Sequence, residues 1–168
     1  MMARVRLLGV FALATVATVA MAGCGPTAAR PPDAADKNAV ASGDAVRLTP
    51  LEIRTAKGVV HYKVEVAATP QEQARGLMYR TSLPDHGGMI FPMTPPRPAS
   101  FWMKNTYIPL DIIFIRSNGA IARIAANTIP ENLSPVESGE PVSAVLEIVG
   151  GGAAANGIAE GDVVSWKR

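Results

Sequence analysis

The stretch that most constrains this chain is Leu110 to Ile115, Leu-Asp-Ile-Ile-Phe-Ile, followed at once by Ser117-Asn118-Gly119. Apart from Asp111 the run is wholly apolar, so both of its alternating faces need cover, as in a strand buried on both sides of a sheet. Asn-Gly between two apolar runs is a strong hairpin signal, because the favoured two-residue turn needs positive φ at its centre. These features predict a central strand at Leu110 to Ile115, with Ile121 to Ile124 returning antiparallel beside it. Just upstream, Phe101, Trp102 and Met103 stand directly against Lys104 and Asn105. Large apolar area beside polar chemistry suits a pocket wall.

Other runs supply the remaining elements. Leu51 to Thr55 alternates apolar and polar residues, and Val60 to Val66 puts Val60, Tyr62, Val64 and Val66 on one face and His61, Lys63 and Glu65 on the other. With Ala56-Lys57-Gly58 as the turn, this predicts a half-exposed antiparallel hairpin in which His61 is solvated rather than a ligand. Thr69-Pro70-Gln71-Glu72 predicts a helix start, with threonine as N-cap, proline in the first position and glutamate closing a capping box. The helix is expected to run toward Tyr79, with Ala74, Leu77 and Met78 on one face and Arg75 and Tyr79 on another. Gly76 costs such a helix about 1 kcal/mol relative to alanine, which points to a close approach by another backbone.

Met89-Ile90-Phe91 predicts a short strand that ends at Pro92 and a proline-rich loop at 95–98. Residues 127–141, with prolines at 130, 135 and 141, read as irregular. Val142 to Val149 and Val163 to Trp166 are further strands, and Ala153 to Asn156 is a helical turn stopped by Gly157. The fold expected is α+β: about seven short, mostly antiparallel strands curled into a compact barrel or sandwich, with one main helix and one short helical turn.

At the N-terminus, Arg4 and Arg6 precede an uncharged apolar run, Leu7 to Ala20, that ends at Met21-Ala22-Gly23-Cys24. This is a signal-peptide pattern, and the run is short of the roughly 20 residues a membrane span needs. The block resembles the bacterial lipobox, with a less usual methionine at its first position. That resemblance implies removal of residues 1–23, lipidation of Cys24, and, because Gly25 follows it, an outer-membrane address facing the periplasm. An ordinary secretory signal with an incidental cysteine and a transmembrane anchor are the other readings. Residues 24–47 are poor in bulky side chains and predict a flexible tether, leaving 48–168 as the folded domain.

Loss of Arg4 and Arg6 would lower Lys plus Arg from 16 to 14, equal to the 14 Asp plus Glu. A neutral chain has no basic footprint for nucleic acid or an anionic membrane, so contact with the membrane is expected through the Cys24 anchor alone.

Several blocks carry a resemblance over about Leu51 to Trp166: Arg75-Gly76-Leu77-Met78-Tyr79-Arg80, Gly88-Met89-Ile90-Phe91, Phe101 to Thr106, Ile108 to Phe114, Val145-Leu146-Glu147, and Gly157-Ile158 before Gly161-Asp162. In these the chain resembles the DUF192 (UPF0127) family. Gly150-Gly151-Gly152 is richer in glycine than the family pattern, and Ile90-Phe91-Pro92-Met93 is a variant of its apolar strand. The resemblance implies a domain of unknown function and leaves the activity open.

Within the matching blocks, Arg75, Arg80, Trp102, Lys104, Asn105 and Asp111 are the candidate ligand-binding residues. In the bland reading Asp111 is a strand-end carboxylate paired with Lys104 or Arg75. In the functional reading these residues share a cleft, where Arg75 and Lys104 hold an anionic or carbohydrate group and Trp102 stacks on an apolar face, as suits cell-wall glycan.

Two alternatives belong to other classes. Asp111 and Glu147 would serve as paired carboxylates for glycan cleavage if they met in space. Met78, Met89, Met93 and Met103, beside Trp102 and His86, would offer thioethers to Cu(I), although methionine on apolar faces simply fills a core. No serine lies in a nucleophile elbow, a triad of Asp85, His86 and Ser100 joins residues of glycine- and proline-rich loops, and Gly150 to Gly152 lacks the lysine of a phosphate loop. The expectation is an envelope ligand-binding or interaction module with no cofactor, no metal and no catalytic residue.

Overall fold

The computed structural model describes residues 48–167. The signal peptide, Cys24 and tether proposed from the sequence lie outside the described residues. Seven strands are present: β1 (Leu48–Thr55), β2 (Gly58–Val66), β3 (Gly87–Phe101), β4 (Leu110–Ile115), β5 (Ile121–Thr128), β6 (Val136–Val149) and β7 (Val163–Trp166). Two short helices join them, α1 (Pro70–Arg75) between β2 and β3 and α2 (Gly152–Ala155) after β6. The strands form one sheet in the order β5-β4-β6-β3-β2-β1-β7, antiparallel throughout except where β2 meets β3.

β4 lies between β5 and β6, and all six of its residues are buried. The double cover expected from its sequence is therefore real. The hairpin to β5 forms around Asn118 and Gly119 as predicted, with register shifts in the pairing. The sheet curls until its ends approach: Ala120 bridges Val163, and Val164 N–H donates to Gly119 C=O at 2.8 Å. The result is an incompletely closed barrel.

Each strand's period of two then sorts side chains between two cores. The enclosed core holds Ile53, Val64, Ile90, Ile113, Ile115, Leu146 and Ile148. The outer core holds Phe91, Leu110, Ile112, Phe114 and Val145, covered by Leu77 after α1 and by Met103.

Three elements differ from expectation. α1 stops at Arg75 because Gly76 takes φ 49°, a left-handed value that ends a helix, and the capping box of Thr69 and Glu72 forms as predicted. What approaches Gly76 is a ring rather than a backbone: a Cβ there would lie 3.3 Å from Cζ of Phe91. β3 continues through its prolines for 15 residues, because its register with β6 shifts between Pro92 and Arg97 and again between Pro98 and Ser100. Prolines are tolerated where the ladder is interrupted in this way. For the same reason β6 begins at Val136, inside the segment expected to be irregular.

Asp111 is fully buried on the enclosed face. Its Oδ1 accepts from the backbone N–H of Asn127 at 2.8 Å and of Gly151 at 2.9 Å, and its Oδ2 from that of Ala153 at 2.8 Å. This corrects the pairing with Lys104 or Arg75: among the described residues no ion pair involves Asp111, because three amides already satisfy it. Gly151 takes φ 81°, which turns the chain so that its own N–H and that of Ala153 point back at the carboxylate. The same charge reaches Tyr62, whose hydroxyl is pushed up to about 12 by burial first and then by Asp111 and Asp85.

Replacing Asp111 with alanine strands three buried amides, each worth about 1–3 kcal/mol when left unsatisfied. Urea unfolding of Asp111→Ala is expected to show a loss of at least about 3 kcal/mol, with Asp111→Asn intermediate. A loss below about 1 kcal/mol would mean that the carboxylate does not hold these segments.

Candidate functional site

The outer face of the sheet carries a cleft of about 430 Å³. One wall is the end of α1 and the turn after it, with Arg75, Gly76, Leu77 and Met78, and the other is the outer half of β3, with Arg97, Ala99 and Phe101, continuing into Trp102. The capping box and Pro70 set where α1 starts, and Gln73 fastens it to the sheet by donating from Nε2 to the carbonyls of Ala67 and Pro92. Beneath lies an aromatic floor: Phe101 packs edge-on against Phe91 at 5.1 Å and against Phe114 at 6.4 Å.

Glu147 reaches the cleft from β6. Its neighbours in the sheet are Met89 of β3 and Ile112 of β4, and it is 5% exposed. Its carboxyl has no hydrogen-bond partner among the described residues, yet no buried side-chain oxygen there is sealed without one, so the group opens to the cleft. Burial pushes it up from 4.5 to about 8.

The predicted site residues separate. Arg75 and Trp102 line the cleft, and Trp102 remains 51% exposed. Lys104 is not in the lining but sits at the rim, with Nζ 5.3 Å from the centre of the Trp102 ring. Arg80 is spent elsewhere, bonded to Glu65 of β2 at 2.7 Å. Asn105 clasps the two walls from behind: its carbonyl accepts from Tyr79 N–H at 2.7 Å, and its Nδ2 donates to the Tyr79 hydroxyl at 2.8 Å. Its φ of 53° is one that asparagine tolerates better than most residues.

Asp111 belongs to the other face of the sheet. Ile112 stands opposite Glu147, and Asp111 opposite Ile148, so the two carboxyl groups project from opposite sides of the sheet. Paired-carboxylate glycan cleavage by Asp111 and Glu147 is thereby ruled out. The thioether set does not assemble around His86 either. Met89 and Met103 belong to the outer core, and Met103 Sδ accepts from Thr128 Oγ1 at 3.1 Å. Met78 and Met93 border the cleft, whereas His86 packs against Tyr62 of the enclosed core.

Sequence reasoning missed Arg97 and gave Glu147 the wrong companion. Arg97 was hidden in a proline-rich segment that reads as loop. Glu147 did carry a signal, as a lone carboxylate in the apolar run Val145 to Val149. Arg75 and Arg97 have no acidic partner among the described residues, so the cleft presents two uncompensated guanidinium groups, one carboxyl and an exposed indole.

Because the folded state keeps the Glu147 proton that the unfolded chain releases, raising the pH from about 4.5 to about 8 favours unfolding. Glu147→Gln has no such slope. Its stability advantage over the natural chain should grow by a few kcal/mol between about pH 5 and pH 9 in urea titrations, at about 1.4 kcal/mol per unit of pKa. Parallel curves would show that the carboxyl is well solvated.

The DUF192 family, described as Uncharacterized ACR, COG1430, matches residues 52–166. No curated protein matches the chain. Two crystal structures resemble it closely. A protein of unknown function from Novosphingobium aromaticivorans DSM 12444 superposes with a TM-score of 0.71 at 45% identity, over 76% of this chain and 91% of that one. A protein from Sinorhizobium meliloti 1021, described as a candidate transcription regulator, superposes with a TM-score of 0.70 at 37% identity, over 72% of this chain and 95% of that one. With a fold and a sequence that agree from β1 to β7, the chain belongs to the DUF192 family.

Proposed function

We propose that this domain is a ligand-binding module of the bacterial envelope, held at the outer membrane by a lipid on Cys24 and facing the periplasm. Its cleft takes a ligand with an anionic group and a flat apolar face, as in cell-wall glycan. The observation that carries the reading is that two guanidinium groups without counterions among the described residues, Arg75 and Arg97, share one cleft with a half-exposed Trp102. Arginine forks suit carboxylate or phosphate, and an exposed indole offers a stacking face to a sugar ring. A cleft of about 430 Å³ is within the usual range for small ligands.

The binding reading is favoured over hydrolysis because, among the described residues, the cleft lining holds a single carboxyl group. Residues 48–167 carry ten Lys and Arg against eleven Asp and Glu, a balance without the positive excess that phosphate backbones demand. This argues against carrying the regulator description over from the Sinorhizobium relative.

Trp102→Ala and Arg97→Ala should each abolish binding of peptidoglycan fragments in calorimetry while the melting temperature stays within about 2 °C of the natural chain. Binding and melting temperature falling together would leave these residues with a structural role only. For the anchor, Cys24→Ala should stop incorporation of labelled palmitate and move the protein to the soluble fraction. Unchanged membrane partition would refute lipidation as the means of attachment.

A further inference from the structure

Three ionisable residues line the cleft among those described, and they differ in kind. Arg75 and Arg97 offer guanidinium forks, whereas Glu147 offers a carboxyl group that is 5% exposed, opens to the cleft and has no hydrogen-bond partner among the described residues. The charged and titratable groups around the cleft can be named element by element. The end of α1 contributes Arg75, β3 contributes Arg97, and the turn after β3 contributes Lys104, drawn over Trp102. On the same face β4 places Leu110, Ile112 and Phe114 in the outer core, and Arg123 of β5 lies against the Phe114 ring and donates to the Glu137 carbonyl. Among the described residues no second carboxylate lines the cleft.

Burial alone pushes the Glu147 carboxyl up to about 8, so it keeps its proton at neutral pH. A protonated carboxyl is a hydrogen-bond donor, and a largely buried donor without a protein partner discriminates between ligands that can and cannot accept from it. A ligand entering this cleft therefore meets two cationic forks and one neutral donor.

We propose that Glu147 selects the ligand of this cleft by donating a hydrogen bond, as a neutral carboxylic acid, to an uncharged amide or carbonyl oxygen on a ligand whose anionic group is held by Arg75 and Arg97. The proposal rests on the binding reading above and narrows it to one chemical class, N-acylated sugar acids, which carry an anion and an amide on one ring-sized body.

N-acetylmuramic acid is the probe that carries both groups. Muramic acid lacks the acyl amide, and N-acetylglucosamine lacks the carboxylate. Titration calorimetry on the full chain in detergent should give binding of N-acetylmuramic acid near pH 6.5, with muramic acid and N-acetylglucosamine each weaker on the order of tenfold. Affinity for N-acetylmuramic acid should fall by about tenfold or more near pH 9.5, where Glu147 has lost its proton. Glu147→Gln keeps a donor and cannot ionise, so it should bind about equally at both pH values, and Glu147→Ala should bind about tenfold more weakly near pH 6.5.

Binding that is unaffected by Glu147→Ala, or that does not change with pH in the natural chain, overturns the role of Glu147 and leaves the cleft reading intact. Equal affinity for muramic acid overturns the amide acceptor. Failure of the natural chain to bind N-acetylmuramic acid or any larger peptidoglycan fragment overturns the role of Glu147 and the cell-wall reading together.

Discussion

The carboxylate of Asp111 ties together parts of the chain that would otherwise diverge. By accepting amides from Asn127, Gly151 and Ala153, it joins the central strand to the end of β5 and to the glycine turn that follows β6. Burying an unpaired carboxylate would cost many kcal/mol, so this arrangement tolerates only a register that delivers all three donors. Sliding β4 by one residue would turn Asp111 to the outer face and its apolar neighbours the wrong way. The register of β4 against β6 sets the rest: with Ile112 opposite Glu147, Glu147 must project on the outer face, into the cleft.

Two carboxyl groups on adjacent buried strands thus meet opposite fates. Asp111 is paid for by three amides and is structural. Glu147 has none among the described residues, and the consequence is a pKa of about 8 rather than a new bond. Desolvation of this size is a standing cost to stability, of the kind found where a group is kept for its chemistry rather than for folding. The same contrast separates the arginines. Arg80 is neutralised by Glu65 and Arg116 by Glu140, whereas Arg75 and Arg97 line the cleft without a counterion among the described residues.

Much of the fold was legible along the chain because its signals are local. Asn118-Gly119 encodes a turn, Thr69 to Glu72 encodes a helix start, and the uninterrupted apolar character of Leu110 to Ile115 encodes burial on both faces. The errors came where a partner strand decided. β3 runs through four prolines because β6 resumes pairing beyond each interruption, and no local pattern announces where such pairing resumes. α1 ends early because Gly76 takes a left-handed conformation with the Phe91 ring against it, a contact between residues far apart in sequence.

The candidate site divides along the same line. The sequence by itself determined the central hairpin of β4 and β5, the helix start and the wall of Phe101, Trp102 and Met103, because each depends on residues within a few positions of one another. It also marked Asp111 and Glu147 as lone carboxylates in apolar runs. Only the tertiary structure decided which of them opens to the cleft, that Arg97 joins Arg75 while Arg80 leaves, and that Asn105 is a clasp rather than a contact. Those outcomes depend on strand register and on which side chains find partners across the sheet, and both are set by packing between segments that the linear order keeps apart.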